Sequence, residues 1–185
     1  MYVPGTTKIA CTTEAPGRML RSSVMRILVI DDSSLYLSMT KKYLNEINGV
    51  TEVMLCSMPE EALKIVNSSN VDIIIMDVVM PKISGFDLLK TLRADDRFDD
   101  VPIIMFTSLN DLESYRKCYE LGATDFINKP INIIEFNARL KVAIQSKMSS
   151  NNYKRLIAVT QQQNLELMEM RSEERRVGKE CRSRW

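Results

Sequence analysis

Five side chains in this sequence could do chemistry together, and each stands where a short apolar run stops. RILVI runs into Asp31 and Asp32, VDIIIM into Asp77, VPIIMF into Thr107, and DFIN is followed by Lys129. Taken singly, each has a plain role. An Asp caps a helix or starts a turn, and a Thr suits a strand through its β-branch. Taken together, they supply a carboxylate nucleophile, two further acids, a hydroxyl donor and an ammonium. Three carboxylates within a few Å repel one another, by ~1 kcal/mol per pair at about 4 Å in water and by ~4 kcal/mol at an effective dielectric near 20. A hard divalent cation offsets that repulsion, and Mg²⁺ prefers such oxygen ligands. With Lys129 and Thr107 added, these are the parts needed to accept a phosphoryl group. The chain has no histidine. That removes Ser-His-Asp chemistry, His-ligated metals and any role as a phosphohistidine donor.

Strands and helices must bring these residues to one place. Apolar runs at 26–30, 51–56, 71–77 and 101–107 read as strands, with a short fifth in ATDFINKP at 123–130. The run before Asp77 is continuous and closed by Pro81 and Gly85, as expected of a strand buried on both faces of a parallel sheet. Between the strands lie helical patterns. The first starts at a cap on Ser33 or Ser34, with Leu35, Met39, Tyr43, Leu44 and Ile47 at helical spacing, and stops at Gly49. Further helices are expected at 59–69 with Pro59 in the first turn, at 85–93, at 110–121 before Gly122, and from near Ile131 to at least Met148. Strict β-α alternation predicts an α/β fold with a doubly wound parallel sheet, in the common five-strand order 2-1-3-4-5, and a C-terminal helical extension. In that order strands 1 and 3 are neighbours, and the strand ends carrying Asp31, Asp32, Asp77, Thr107 and Lys129 open into one crevice.

At this point four stretches, ILVIDDS, IIIMDVVMPKISG, IIMFTS and DFINKP, come in an order and spacing that resembles the receiver domain of bacterial two-component response regulators, from Arg26 to about Met148. The resemblance implies a (βα)₅ flavodoxin-like fold and a set of roles. Asp77 would be the phosphoacceptor, taking the phosphoryl group of a histidine kinase or histidine phosphotransfer protein. Asp32, Asp77 and the backbone carbonyl of Val79 would hold Mg²⁺, with Asp31 acting mainly through a coordinated water. Lys129 would pair with Asp77 and then with the phosphoryl oxygens, and its peptide bond to Pro130 would be cis. Thr107 would move in to donate a hydrogen bond, and Phe126, otherwise a plain core aromatic, would turn inward with it. The face made by the fourth helix (110–121), the fifth strand (in 123–130) and the fifth helix (from near Ile131) would then change its partners, which include a homodimer or an output domain engaged through that face or the C-terminal helix. Ser108 departs from the family, which often has Ala there.

The flanks are organised differently. Residues 1–24 carry a net charge of +2 and residues 171–185 a net charge of +3, which leaves −4 between them out of a total of +1. An acidic middle gives no support to direct nucleic-acid binding by that part. Residues 1–24 contain Pro, Gly and Thr without a structural period and are expected to be disordered or translated upstream sequence, with a start at Met25. Residues 25–148 form the expected receiver domain. Residues 149–170 are expected to be a helical linker with a thin apolar stripe, Leu156, Val159, Leu165 and Met168, and SSNN at 149–152 is a candidate break point in the helix. Residues 171–185, RSEERRVGKECRSRW, look like a translated sequencing adapter, so the native C-terminus is expected to be missing. The cysteines, Cys11, Cys56, Cys118 and Cys181, show neither CxxC pairing nor regular spacing, and apolar runs stay at strand length. The expectation is a soluble, cytoplasmic phosphorylation switch, not an enzyme, with no membrane contact. The alternative is the regulatory front end of a truncated multidomain protein, either a nucleotide-signalling enzyme or a transcription factor.

Overall fold

The computed structural model describes residues 25–108 and 112–182. Five parallel strands, β1 (Met25–Ile30), β2 (Val50–Cys56), β3 (Ile73–Asp77), β4 (Ile103–Thr107) and β5 (Asp125–Asn128), pair in the order β2-β1-β3-β4-β5. The helices α1 (Ser34–Asn45), α2 (Pro59–Ser68), α3 (Gly85–Arg93), α4 (Leu112–Glu120) and α5 (Ile133–Arg182) follow the strands in turn. This is the doubly wound arrangement that the alternation predicts.

Every residue of β3 and β4 is buried, because helices cover both faces of the sheet. Successive side chains on a strand point to opposite faces, and the two cores divide accordingly. Ile74 and Met76 pack with Leu88, Leu89 and Leu92 of α3 on one face. Ile73 and Ile75 pack with Leu37 and Leu44 of α1 and Phe136 and Leu140 of α5 on the other. Burying an aliphatic side chain of this kind stabilises the fold by roughly 1.5–3 kcal/mol. The apolar run before Asp77 is therefore held from both sides.

Several boundaries differ from the sequence pattern. Strand β3 begins at Ile73, not residue 71, because Asp72 turns its carboxylate back to accept the backbone N–H of Arg26 at 2.9 Å. Strand β4 begins after Pro102, which has no N–H to offer a ladder. Helix α1 ends at Asn45, before Ile47, and Gly49, at φ 100°, instead turns the chain into β2. Ser33 is the N-cap residue of α1, but its side chain makes no capping hydrogen bond. Its backbone N–H goes to Asp31 Oδ1 at 2.8 Å. Pro59 does take the first-turn position of α2. Of the helix expected at 110–121, residues 110 and 111 lie outside the described residues, as do residues 1–24.

The largest difference is α5, which runs unbroken for 50 residues through Ser149, Ser150, Asn151 and Asn152. Each of those residues costs a fraction of a kcal/mol against Ala, on the order of 0.5. Extending an existing helix needs no new nucleus, so strong helix formers on both sides carry it across. Its first turns bury Phe136, Leu140, Ala143 and Ile144, whereas Tyr153, Leu156, Leu165 and Met168 are exposed. Among the described residues, no helix is long and apolar enough to cross a membrane.

Candidate phosphoacceptor site

The carboxyl edge of the sheet brings the five predicted residues together. Backbone hydrogen bonds continue the ladder past the strand ends, from Asp31 N–H to Cys56 O at 3.1 Å, from Val78 N–H to Phe106 O at 2.8 Å and from Lys129 N–H to Thr107 O at 2.8 Å. These bonds set the depth at which each side chain leaves the sheet. Asp31 is fully buried, Asp77 is 4% exposed and Thr107 1% exposed, while Asp32 is exposed at the mouth. One carboxylate oxygen from each of Asp31, Asp32 and Asp77 lies within 4.8 Å of the others.

Lys129 is the hub. Its Nζ is 2.7 Å from Asp31 Oδ2 and 2.7 Å from Asp77 Oδ2, with the lysine side chain 8% exposed. The resemblance implied only the pairing with Asp77; the structure adds Asp31. The Lys129–Pro130 peptide is cis, as expected. Asp77 Oδ1 accepts the Val79 N–H at 3.3 Å, which turns the backbone at Val79 toward the crevice.

Burial pushes the Asp77 carboxyl above its ordinary range, against the opposing pull of the Lys129 hydrogen bond and charge. Burial would lower the Lys129 pKa, but its hydrogen bonds to Asp31 and Asp77, with their charges, prevail and raise it. The ammonium is thus held charged between two carboxylates. Three carboxyl groups face one ammonium here, and that all-oxygen donor set fits a hard divalent cation such as Mg²⁺.

Phe126, two residues before the end of β5, is paired in register with Met105 and is half-buried. Its ring stacks on Tyr115 of α4 at 4.3 Å between centroids, with Tyr119 edge-on at 5.6 Å. It is therefore an aromatic at the border of the core, lying against α4. Ser108 is exposed. Two contacts in the site had no signal in the sequence. The ring of Tyr36 in α1 lies 4.0 Å from Lys129 Nζ. The backbone of Gly85 passes against that of Asp77, where a Cβ would collide. A lone aromatic and a lone glycine carry no spacing rule, so only the folded chain reveals them.

Comparison with known proteins agrees with the geometry. Residues 27–141 match the model of the response regulator receiver domain. The transcriptional regulatory protein YvrH of Bacillus subtilis is 33% identical over 130 residues, 68% of this chain and 53% of its own length. The heme response regulator HssR of Staphylococcus saprophyticus is 35% identical over 118 residues, 64% of this chain and 50% of its own. The chain thus spans about half the length of the curated relatives it matches. Among solved structures, the chemotaxis response regulator CheY4 of Vibrio cholerae superposes with a TM-score of 0.60 at 28% identity, covering 65% of this chain and 99% of that one. The receiver domain of a signal transduction histidine kinase from Syntrophus aciditrophicus has a TM-score of 0.60 at 27% identity, covering 66% and 91%. A match that runs from β1 into α5, on a fold whose strand order and acidic edge were reached independently, means that the chain belongs to the response regulator receiver domain family.

Proposed function

We propose that Asp77 is the phosphoacceptor of a signalling switch. The observation that carries this reading is the buried Lys129 ammonium, 2.7 Å from both Asp31 and Asp77; of these two acids Asp31 has no exposed surface, while Asp77, at the end of the central strand β3, keeps some. A carboxylate oxygen of Asp77 attacks phosphorus; the new O–P bond forms as the P–N bond of a partner's phosphohistidine breaks, and the imidazole leaves with the electron pair. The partner is a histidine kinase or a histidine phosphotransfer protein.

Asp32, Asp77 and the backbone carbonyl of Val79 would hold Mg²⁺, with Asp31 acting mainly through a coordinated water, and the bound ion would supply positive charge against the phosphoryl oxygens. Lys129 then exchanges its bond to Asp77 for one to a phosphoryl oxygen. Thr107, at the end of β4 beside β3, donates its hydroxyl to another. Phe126 turns inward behind it, and leaves the stack on Tyr115 when it does. That exchange alters the α4-β5-α5 face, through which a homodimer or an output domain would be controlled. On this reading the chain is a cytoplasmic switch and not an enzyme, and residues 149–170 act as a helical linker.

Incubation with acetyl phosphate and Mg²⁺ tests the central step. Wild type should gain an acid-stable, base-labile acyl phosphate, and Asp77→Asn should gain none; equal labelling of the two would remove Asp77 from this role. Asp32→Ala should weaken Mg²⁺ binding, read as quenching or as a calorimetric titration, with the fold intact because Asp32 is exposed. An unchanged affinity would mean that the metal sits elsewhere.

A further inference from the structure

The Lys129 ammonium has three N–H groups. Two are taken by Asp31 and Asp77, and among the described residues no further oxygen accepts from it. Instead Nζ lies 4.0 Å from the centroid of the Tyr36 ring, well inside the range of a cation–π contact. Tyr36 sits in the first turn of α1, and its ring is held in turn by packing against the core between the sheet, α1 and α5. The ring therefore cannot easily follow the lysine or swing away from it. A hydrocarbon at this position would leave the third N–H to water and the four-carbon stem to several rotamers. A further carboxylate would hold the ammonium, but it would add a fourth acid to a crevice that already gathers three. An aromatic face attracts the cation through its quadrupole without adding formal charge.

We propose that Tyr36 is a positioning residue for Lys129, its ring face holding the ammonium in the crevice while the carboxylate and phosphoryl partners of the lysine are exchanged. The contact itself is independent of the phosphoacceptor reading; its consequence for phosphoryl transfer rests on that reading. Of the three partners that surround Nζ, phosphorylation of Asp77 leaves Asp31 and the ring chemically unchanged, and of these two only the ring is not also a candidate metal ligand. It is the natural pivot for the lysine.

Two measurements test this separately. In NMR spectra of the whole chain, with the lysine signals assigned through Lys129→Arg, the Lys129 Cε protons should lie upfield of free lysine. The ring current should keep them there in Tyr36→Phe and release them in Tyr36→Leu. With acetyl phosphate, Tyr36→Leu should label roughly two- to tenfold more slowly than wild type, and Tyr36→Phe should retain most of the rate. An unshifted Lys129 signal in wild type overturns the contact. A shifted signal with an unchanged rate in Tyr36→Leu overturns the positioning role, and a loss in Tyr36→Phe as large as in Tyr36→Leu transfers the effect from the ring to the hydroxyl. If wild type itself takes no label, the phosphoacceptor reading fails, and the ring-current measurement still decides the contact. Should Tyr36→Leu not fold, Tyr36→Met, with similar reach and no ring, serves in both measurements.

Discussion

A side chain on Gly85 would begin inside the carbonyl oxygen of Asp77, with its Cβ 2.9 Å from Val78 Cα as well. Those neighbours are backbone atoms at the end of β3, and they cannot move without moving the Asp77 carboxylate. Gly85→Ala should therefore cost ~3 kcal/mol, the upper part of the range for forcing an atom into packed space. Urea unfolding measures this, and a loss below ~1 kcal/mol would show that the β3–α3 loop yields easily. In the sequence Gly85 closes an apolar run, opens a helix and ends the stretch IIIMDVVMPKISG, but nothing there places it against Asp77. Its close approach to Asp77 depends on a residue eight positions back, and no local pattern encodes it. The acids were different. Asp31, Asp32 and Asp77 were legible because a carboxylate at the end of an apolar run breaks the pattern that burial alone would produce.

At the scale of the element, α5 does two things at once. Its first turns close one face of the sheet with Phe136, Leu140 and Ile144, and one turn later Lys147 is buried at 8% exposure with a single long hydrogen bond, 3.3 Å to Asp100 O. Asp72, Asp100 and Lys154 face its charge, but burial dominates and pushes the Lys147 pKa below the ordinary lysine value. A lysine lowered on folding binds fewer protons in the native than in the unfolded state. Stability therefore rises with pH between its folded and its ordinary pKa, and the charge costs stability below that window. Lys147→Met should raise the melting temperature at pH 7, and the advantage should shrink as pH approaches the ordinary lysine range of about 10.4. Thermal scans of both proteins at pH 7 and pH 10 check this, and an advantage that grows with pH would reverse the assignment. The starts of α2 and α3 were read well, at Pro59 and Gly85, whereas Gly49 and Pro102 were misread at the end of α1 and the start of β4. Boundaries were also read less well where hydrogen bonds at a distance decide, as at Asp72, or where helix propagation overrides four poor residues.

At the scale of the molecule, α5 closes one face of the sheet and continues beyond it. From Tyr153 to Met170 the apolar side chains of α5 are exposed, and an ion pair between Lys154 and Asp100 joins this stretch of the helix to the fold. Surface pairs of this kind contribute up to ~1 kcal/mol. A chain stopped after Ser150 should lose helical ellipticity yet keep its unfolding free energy within ~1 kcal/mol of the full chain, and it should label with acetyl phosphate as before. A larger loss would show that this stretch of the helix stabilises the receiver domain. Strand order, the two-faced burial of β3 and the gathering of Asp31, Asp32, Asp77, Thr107 and Lys129 at one edge were all determined by the sequence itself. Alternation of apolar runs with helical patterns leaves few right-handed parallel topologies, and each of them puts the strand ends on the same side. The bridge from Lys129 to two acids, the Tyr36 ring beside it and the glycine against Asp77 were decided only by the tertiary structure. These contacts join residues as far as 98 positions apart, and they depend on a few tenths of an Å in packing that no local periodicity carries.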